Sequence, residues 1–166
     1  GSNAVAQLLT TLYRIERGLA GFLLALMAVL LVGDVIAREV GAGGSAWAQR
    51  AGLMCMIWAA FLGVPLTSAK GRHLRAEFTD RWWSPTLQPR MRALEEFCIA
   101  LFCLGCCGLA VSYCRESAGL GDRDPILEIP LWVTQLVIPY AFGSTGLRHL
   151  LYAFAPALRP PRGGPS

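Results

Sequence analysis

The sequence predicts an all-α integral membrane protein, and three observations carry that prediction. Of its 166 residues 54% are hydrophobic and only 16% charged, and the mean hydropathy is +0.46. The apolar residues fall in four long runs, whereas a soluble helix interrupts them every few positions to keep one face wet. The run 51–69 then matches the length that lipid demands. It holds nineteen residues without a charge, and about 20 residues rising about 1.5 Å each cross a hydrocarbon core about 30 Å thick.

Residues 5–152 read as one four-helix membrane domain. Residues 1–4 look like a cloning remnant. Arg14, Glu16 and Arg17 precede the first span, 18–37, whose only ionisable residue is Asp34. A loop over 38–50 follows, with Gly41, Gly43 and Gly44 as helix breakers. The second span, 51–69, has Trp47 at one headgroup layer and Lys70, Arg72, His73 and Arg75 beyond the other. The third span is 97–114. A loop with Gly119, Gly121 and Pro125 leads to the fourth, 129–147, closed by Arg148 and His149. The tail, 153–166, is rich in Pro and Gly and reads as disordered.

In the central polar stretch, 70–96, Leu74, Phe78 and Trp82 recur every fourth residue beside Trp83. That pattern predicts a short amphipathic helix lying in the headgroup layer, ended by Pro85 and Pro89. Pro89 also suits the first turn of the next helix. Eleven of the fifteen Lys and Arg residues fall in the two ends and this central stretch, and four in the other two loops. By the positive-inside rule both termini face the cytoplasm. No soluble basic face is available for nucleic acid.

Two groups raise the question of chemistry. Cys103 and Cys106 form a C-x-x-C, which four-helix membrane thiol–disulfide oxidoreductases also use. Both lie mid-span, where the reactive thiolate is disfavoured. Ala100, Cys103, Cys107, Ala110 and Cys114 step by three and four, a stripe of small residues suited to helix packing in lipid. Ala59 and Gly63 form a second small pair. Asp34, an acid within a span, is a functional candidate by default, with an ion pair to Arg38 one turn on as the plainer alternative. Pro139 predicts a kink in the fourth span. No nucleotide loop, catalytic triad, metal-ligand set or cofactor motif is visible, so the chain reads as a non-catalytic accessory subunit.

Four stretches resemble a known family. They are Asp34-Val-Ile-Ala-Arg38, then Trp47-Ala-Gln-Arg50, then Gly71-Arg72-His73-Leu74-Arg75-Ala76-Glu77, and last Ile129-Pro130-Leu131-Trp132 with Ile138-Pro139 and Arg148. In that order around four spans, over about 12–152, they are similar to the DctQ-like small membrane subunit of tripartite ATP-independent periplasmic (TRAP) transporters. Where that family often has an acid before the second span, this chain has Gln49-Arg50. The resemblance implies a bacterial inner-membrane scaffold for a large transport subunit. That subunit uses a sodium gradient to take up an organic acid brought by a periplasmic binding protein. Substrate and sodium sites then belong to the large subunit. Arg38, Trp47, His73 and Arg148, joined by Asp34, Arg50, Trp82 and Trp83, are the candidate contacts to partner subunits or lipid headgroups.

Overall fold

A computed structural model describes residues 2–41, 43–69 and 87–158, with the side chains of 2, 3 and 157 excepted. Over these residues the chain forms helices α1 (Ser2–Glu39), α2 (Ala46–Ala69), α3 (Gln88–Leu120), α4 (Leu131–Gln135) and α5 (Val137–Phe154), and a 3-10 turn over Pro156–Leu158. The expected amphipathic helix around Trp82 lies outside the described residues.

Helices run past the limits that charge alone suggests. α1 begins at Ser2, and its 38 residues span about 57 Å at about 1.5 Å each. Nothing between Ser2 and Arg17 is a Pro or Gly, so the backbone has no reason to stop where the charges begin. α3 begins at Gln88 with Pro89 in its first turn, where the missing N–H costs nothing. It ends at Gly121, whose φ of 70° is left-handed and whose N–H bonds the Ala118 carbonyl.

The fourth segment departs most from expectation. Instead of a kinked helix over 129–147, the chain makes the short α4, turns at Leu136, and continues as α5 to Phe154. Pro139 cannot donate to the Gln135 carbonyl four residues back, and the helix breaks there. Pro139 itself sits harmlessly in the first turn of α5. α5 carries the expected tail through 154.

Among the described helices, residues 4–39 of α1, α2 and α3 are long and apolar enough to cross a membrane. α5, 18 residues long with Arg148 and His149 inside it, is not among them. α1 packs on α2, α3 packs on α5, and α2 meets α5 to join the two pairs. Late α1 bonds early α2 through Asp34 and Gln49, while early α1 meets late α5 through Glu16 and Arg148. Successive long helices therefore run in opposite directions. Ala20, Leu62 and Val137 form the apolar centre, with Trp58, Phe61 and Ile138 around them.

The cysteine stripe faces α5. Ala100, Cys103 and Cys114 are buried, and the Cys107 thiol donates to the Pro139 carbonyl at 3.3 Å. On the facing helix a Cβ on Gly146 would lie 2.9 Å from Leu104 Cγ and 3.2 Å from its backbone nitrogen. Gly63, by contrast, has open space where a Cβ would go, so the Ala59–Gly63 pair is not a point of close approach. Gly146→Val should destabilise the α3–α5 seam by about 1–3 kcal/mol through overpacking. Gly63→Ala should keep stability or raise it by up to about 1 kcal/mol, since Ala is the better helix former. Thermal unfolding in detergent separates the two, and equal melting temperatures would refute the seam.

Candidate functional site: a buried ion network at one end of the bundle

The densest polar chemistry lies where early α1, late α2, early α3 and late α5 converge. Glu16 on α1 is 1% exposed and Arg148 on α5 is 1% exposed. The Arg148 Nη2 donates to Glu16 Oε2 at 2.6 Å. The other carboxylate oxygen accepts the hydroxyls of Tyr140 at 2.9 Å and Ser144 at 3.0 Å, both one or two turns earlier on α5. The Arg148 Nη1 reaches across to the Pro65 carbonyl of α2. One buried ion pair thus ties three helices.

The next residue adds a fourth. His149 Nδ1 meets Glu96 Oε2 of α3, and Nε2 meets the Ser68 hydroxyl of α2. Glu96 is the partly exposed member, with 24% of its side chain accessible against 3% for His149. Because residues 148 and 149 point about 100° apart around a helix, α5 is keyed towards α1 by one and towards α3 by the other. Both also reach α2.

A second set of ionic contacts closes the opposite end. Asp34 is buried and accepts from Arg38, from the Ser45 backbone N–H, and from Gln49 Nε2 at 2.9 Å. Ser45 sits just before α2, so Asp34 joins the end of α1 to the start of its neighbour. Arg50 Nε donates to Asp124 Oδ2 at 2.6 Å, which fastens early α2 to the α3–α4 loop. Asp124 also shapes that loop, accepting the N–H groups of Leu127 and Ile126. Those amides and the Arg50 guanidinium hold its carboxyl below the usual carboxylate range.

These positions correct part of the sequence expectation. Arg148 and Asp34 are buried with their charges spent on internal partners, Asp34 on the Arg38 pair that the sequence also offered. Arg50 turns to Asp124. Arg38 keeps 49% of its side chain accessible although it pairs with Asp34, and Trp47 is 55% exposed. His73, Trp82 and Trp83 lie outside the described residues. Sequence reasoning missed Glu16 and Glu96, because each stands among flanking charges that look solvated. Both lie inside helices, at positions that the expected span limits, 18–37 and 97–114, leave out. Between α1, α2 and the α4–α5 break an apolar crevice of about 370 Å³ opens, lined by Leu19, Trp58, Leu62 and Val137, with Glu16 and Tyr140 at one side.

Long apolar helices held together by internal ion pairs define a helical membrane protein. Residues 27–159 match the family model for the DctQ component of tripartite ATP-independent periplasmic transporters. The chain belongs to that family of transporter components. No match is found among curated proteins. The thiol–disulfide alternative gains no support: the matched family is a transporter component, and Cys103 is buried.

Truncating one member of a buried pair strands the other charge, which costs about 3–5 kcal/mol. Glu16→Leu and Arg148→Met should each lower the unfolding free energy by about that amount, and the double variant should lose less than either. Singles as stable as the parent chain would show that the pair carries no weight. At the other end, Asp124→Ala should speed tryptic cleavage after Arg123 at neutral pH. A carboxyl held low contributes stability above its unfolded value, about 3.9, and loses it as pH falls through the lower folded value. The Ile126 and Leu127 amide resonances should accordingly hold steady from pH 7 to about 4 and move only below that.

Proposed function

We propose that the chain is the non-catalytic small membrane subunit of a TRAP-type secondary transporter. It crosses the bacterial inner membrane four times, the last crossing made by α4 and α5, with both termini in the cytoplasm. It steadies a large transport subunit that takes up an organic acid, delivered by a periplasmic binding protein, on a sodium gradient. The observation that carries this reading is the family match over 27–159. The internal ion network supports it. Glu16 is spent within the bundle on Arg148, Tyr140 and Ser144, as suits a rigid support better than a solute path. The Lys and Arg distribution supports the orientation.

An affinity tag on this chain should co-purify a much larger membrane protein from the native host. Deleting the chain should abolish solute uptake while leaving the binding protein's own affinity intact. Recovery of the chain without a membrane partner, together with undiminished uptake after its deletion, would overturn the proposal. Replacing Cys103 and Cys106 by Ala should leave uptake within about twofold of the parent, a change worth less than about 0.5 kcal/mol by the usual logarithmic relation.

A further inference from the structure

We propose that one water molecule is bound inside the bundle, between Arg148 Nε, Thr145 Oγ1 and the Phe61 carbonyl, as a fixed part of the junction of α1, α2 and α5. The inference goes beyond the transport reading above and does not depend on it. It starts from two polar atoms that the ion network leaves over. Arg148 spends Nη2 on Glu16 and Nη1 on the Pro65 carbonyl, while its buried Nε meets no hydrogen-bond partner among the described residues. Thr145, 1% exposed, has its hydroxyl oxygen in the same condition.

Helix geometry makes these two atoms neighbours. Residues three apart on a helix share a face, with Cβ atoms about 5–6 Å apart. Helical side chains also lean towards the amino end, so the Arg148 stem lies back over the turn that holds Ser144 and Thr145. The contacts agree with that lean, because Nη2 ends on the same carboxylate that Ser144 and Tyr140 reach. Nε precedes the fork on that stem and therefore passes Thr145.

Nε–H only donates, and a threonine hydroxyl both accepts and donates, yet the two do not bond directly. One water between them completes both: it takes the Nε–H and gives a hydrogen to Oγ1. Its second hydrogen has an acceptor on α2. Pro65 has no N–H, so the Phe61 carbonyl four residues back loses its helical donor. That carbonyl lies one turn before the Pro65 carbonyl that Arg148 holds, on the same side of α2. Three bonds are the usual number for a buried water. The guanidinium repels a cation here, and the adjoining Glu16 carboxylate repels an anion. A small neutral molecule that accepts once and donates twice is left, which is water. Inside lipid no bulk solvent can take its place, so the bound molecule is also what makes a proline tolerable within α2.

The full-length chain, labelled with ¹⁵N-arginine in lipid nanodiscs, provides the test, and Arg148→Lys identifies the Arg148 resonance by its loss. The Arg148 Nε–H should show a dipolar cross-peak to water, with the sign of a molecule that tumbles with the protein. Thr145→Val keeps the side chain's shape and removes the hydroxyl. It should abolish the cross-peak and lower the melting temperature in detergent by about 2–4 °C. Thr145→Ser keeps the hydroxyl and should keep the cross-peak. Pro65→Ala returns an N–H to the Phe61 carbonyl and should weaken the cross-peak, which a relay through the threonine hydroxyl alone would not do. A parent chain without the cross-peak, or a cross-peak that survives Thr145→Val, would overturn the proposal. Loss of the cross-peak in Thr145→Ser, or its full strength in Pro65→Ala, would do the same.

Discussion

A charge pair placed among apolar helices constrains everything around it. Glu16 and Arg148 lie 2.6 Å apart and 1% exposed. An isolated carboxylate or guanidinium at that depth would cost several kcal/mol. Hydrocarbon provides no competing partner, so the two can be satisfied only if α1 and α5 meet at the correct rotation and height. Tyr140 and Ser144 then both donate to the other oxygen of Glu16, and the Pro65 carbonyl takes a second Arg148 donor. Lipid is as apolar as leucine and offers helices little reason to prefer one face over another. Polar keys provide the direction that greasy packing lacks.

The two ends of the bundle solve the same problem in different ways. At the Arg148 end, side chains bridge helices that are far apart in sequence. At the other, carboxylates organise backbone. Asp34 captures the Ser45 N–H and so fixes the α1–α2 hairpin, while Asp124 captures two amides and so folds the α3–α4 loop before Arg50 secures it. Between these ends the α3–α5 contact depends on size: cysteines and alanines on α3, Gly143 and Gly146 on α5. Directional locks at both ends let the middle be simple.

What the sequence discloses follows from how local each cause is. Charge-free runs disclose that helices cross lipid, and a step of three and four discloses the cysteine stripe, because both are properties of one helix. The Asp34–Arg38 pair is legible for the same reason, one turn apart. Glu16 is not. It stands between Arg14 and Arg17, and only the arrival of Arg148 from 132 residues away distinguishes it from a solvated flank. Arg50 and Asp124, 74 residues apart, are equally silent. Pro139 signals an interruption, and locating it needs the rule that the broken bond lies four residues back. The useful signal missed was composition by sign: a lone Arg at the end of one apolar run calls for a lone acid at the matching depth of another.

Internal pairing also bears on what the outer surface can recognise. Once Asp34, Glu16, Asp124 and Arg148 are turned inward, the outer faces of α1 and α3 present Phe22, Val29, Leu101, Phe102 and Leu109. A neighbouring helix and a lipid tail are nearly equal in hydrophobicity, so such faces gain little selectivity from burial alone. Selectivity for a protein neighbour must then come from shape and from polar groups at the rim. Arg38 and Trp47 remain accessible at the Asp34 end. Asp34 holds Arg38 in place and Gln49 ties α2 to the same carboxylate, so the ordering cost of that polar rim is met during folding and not when something binds to it.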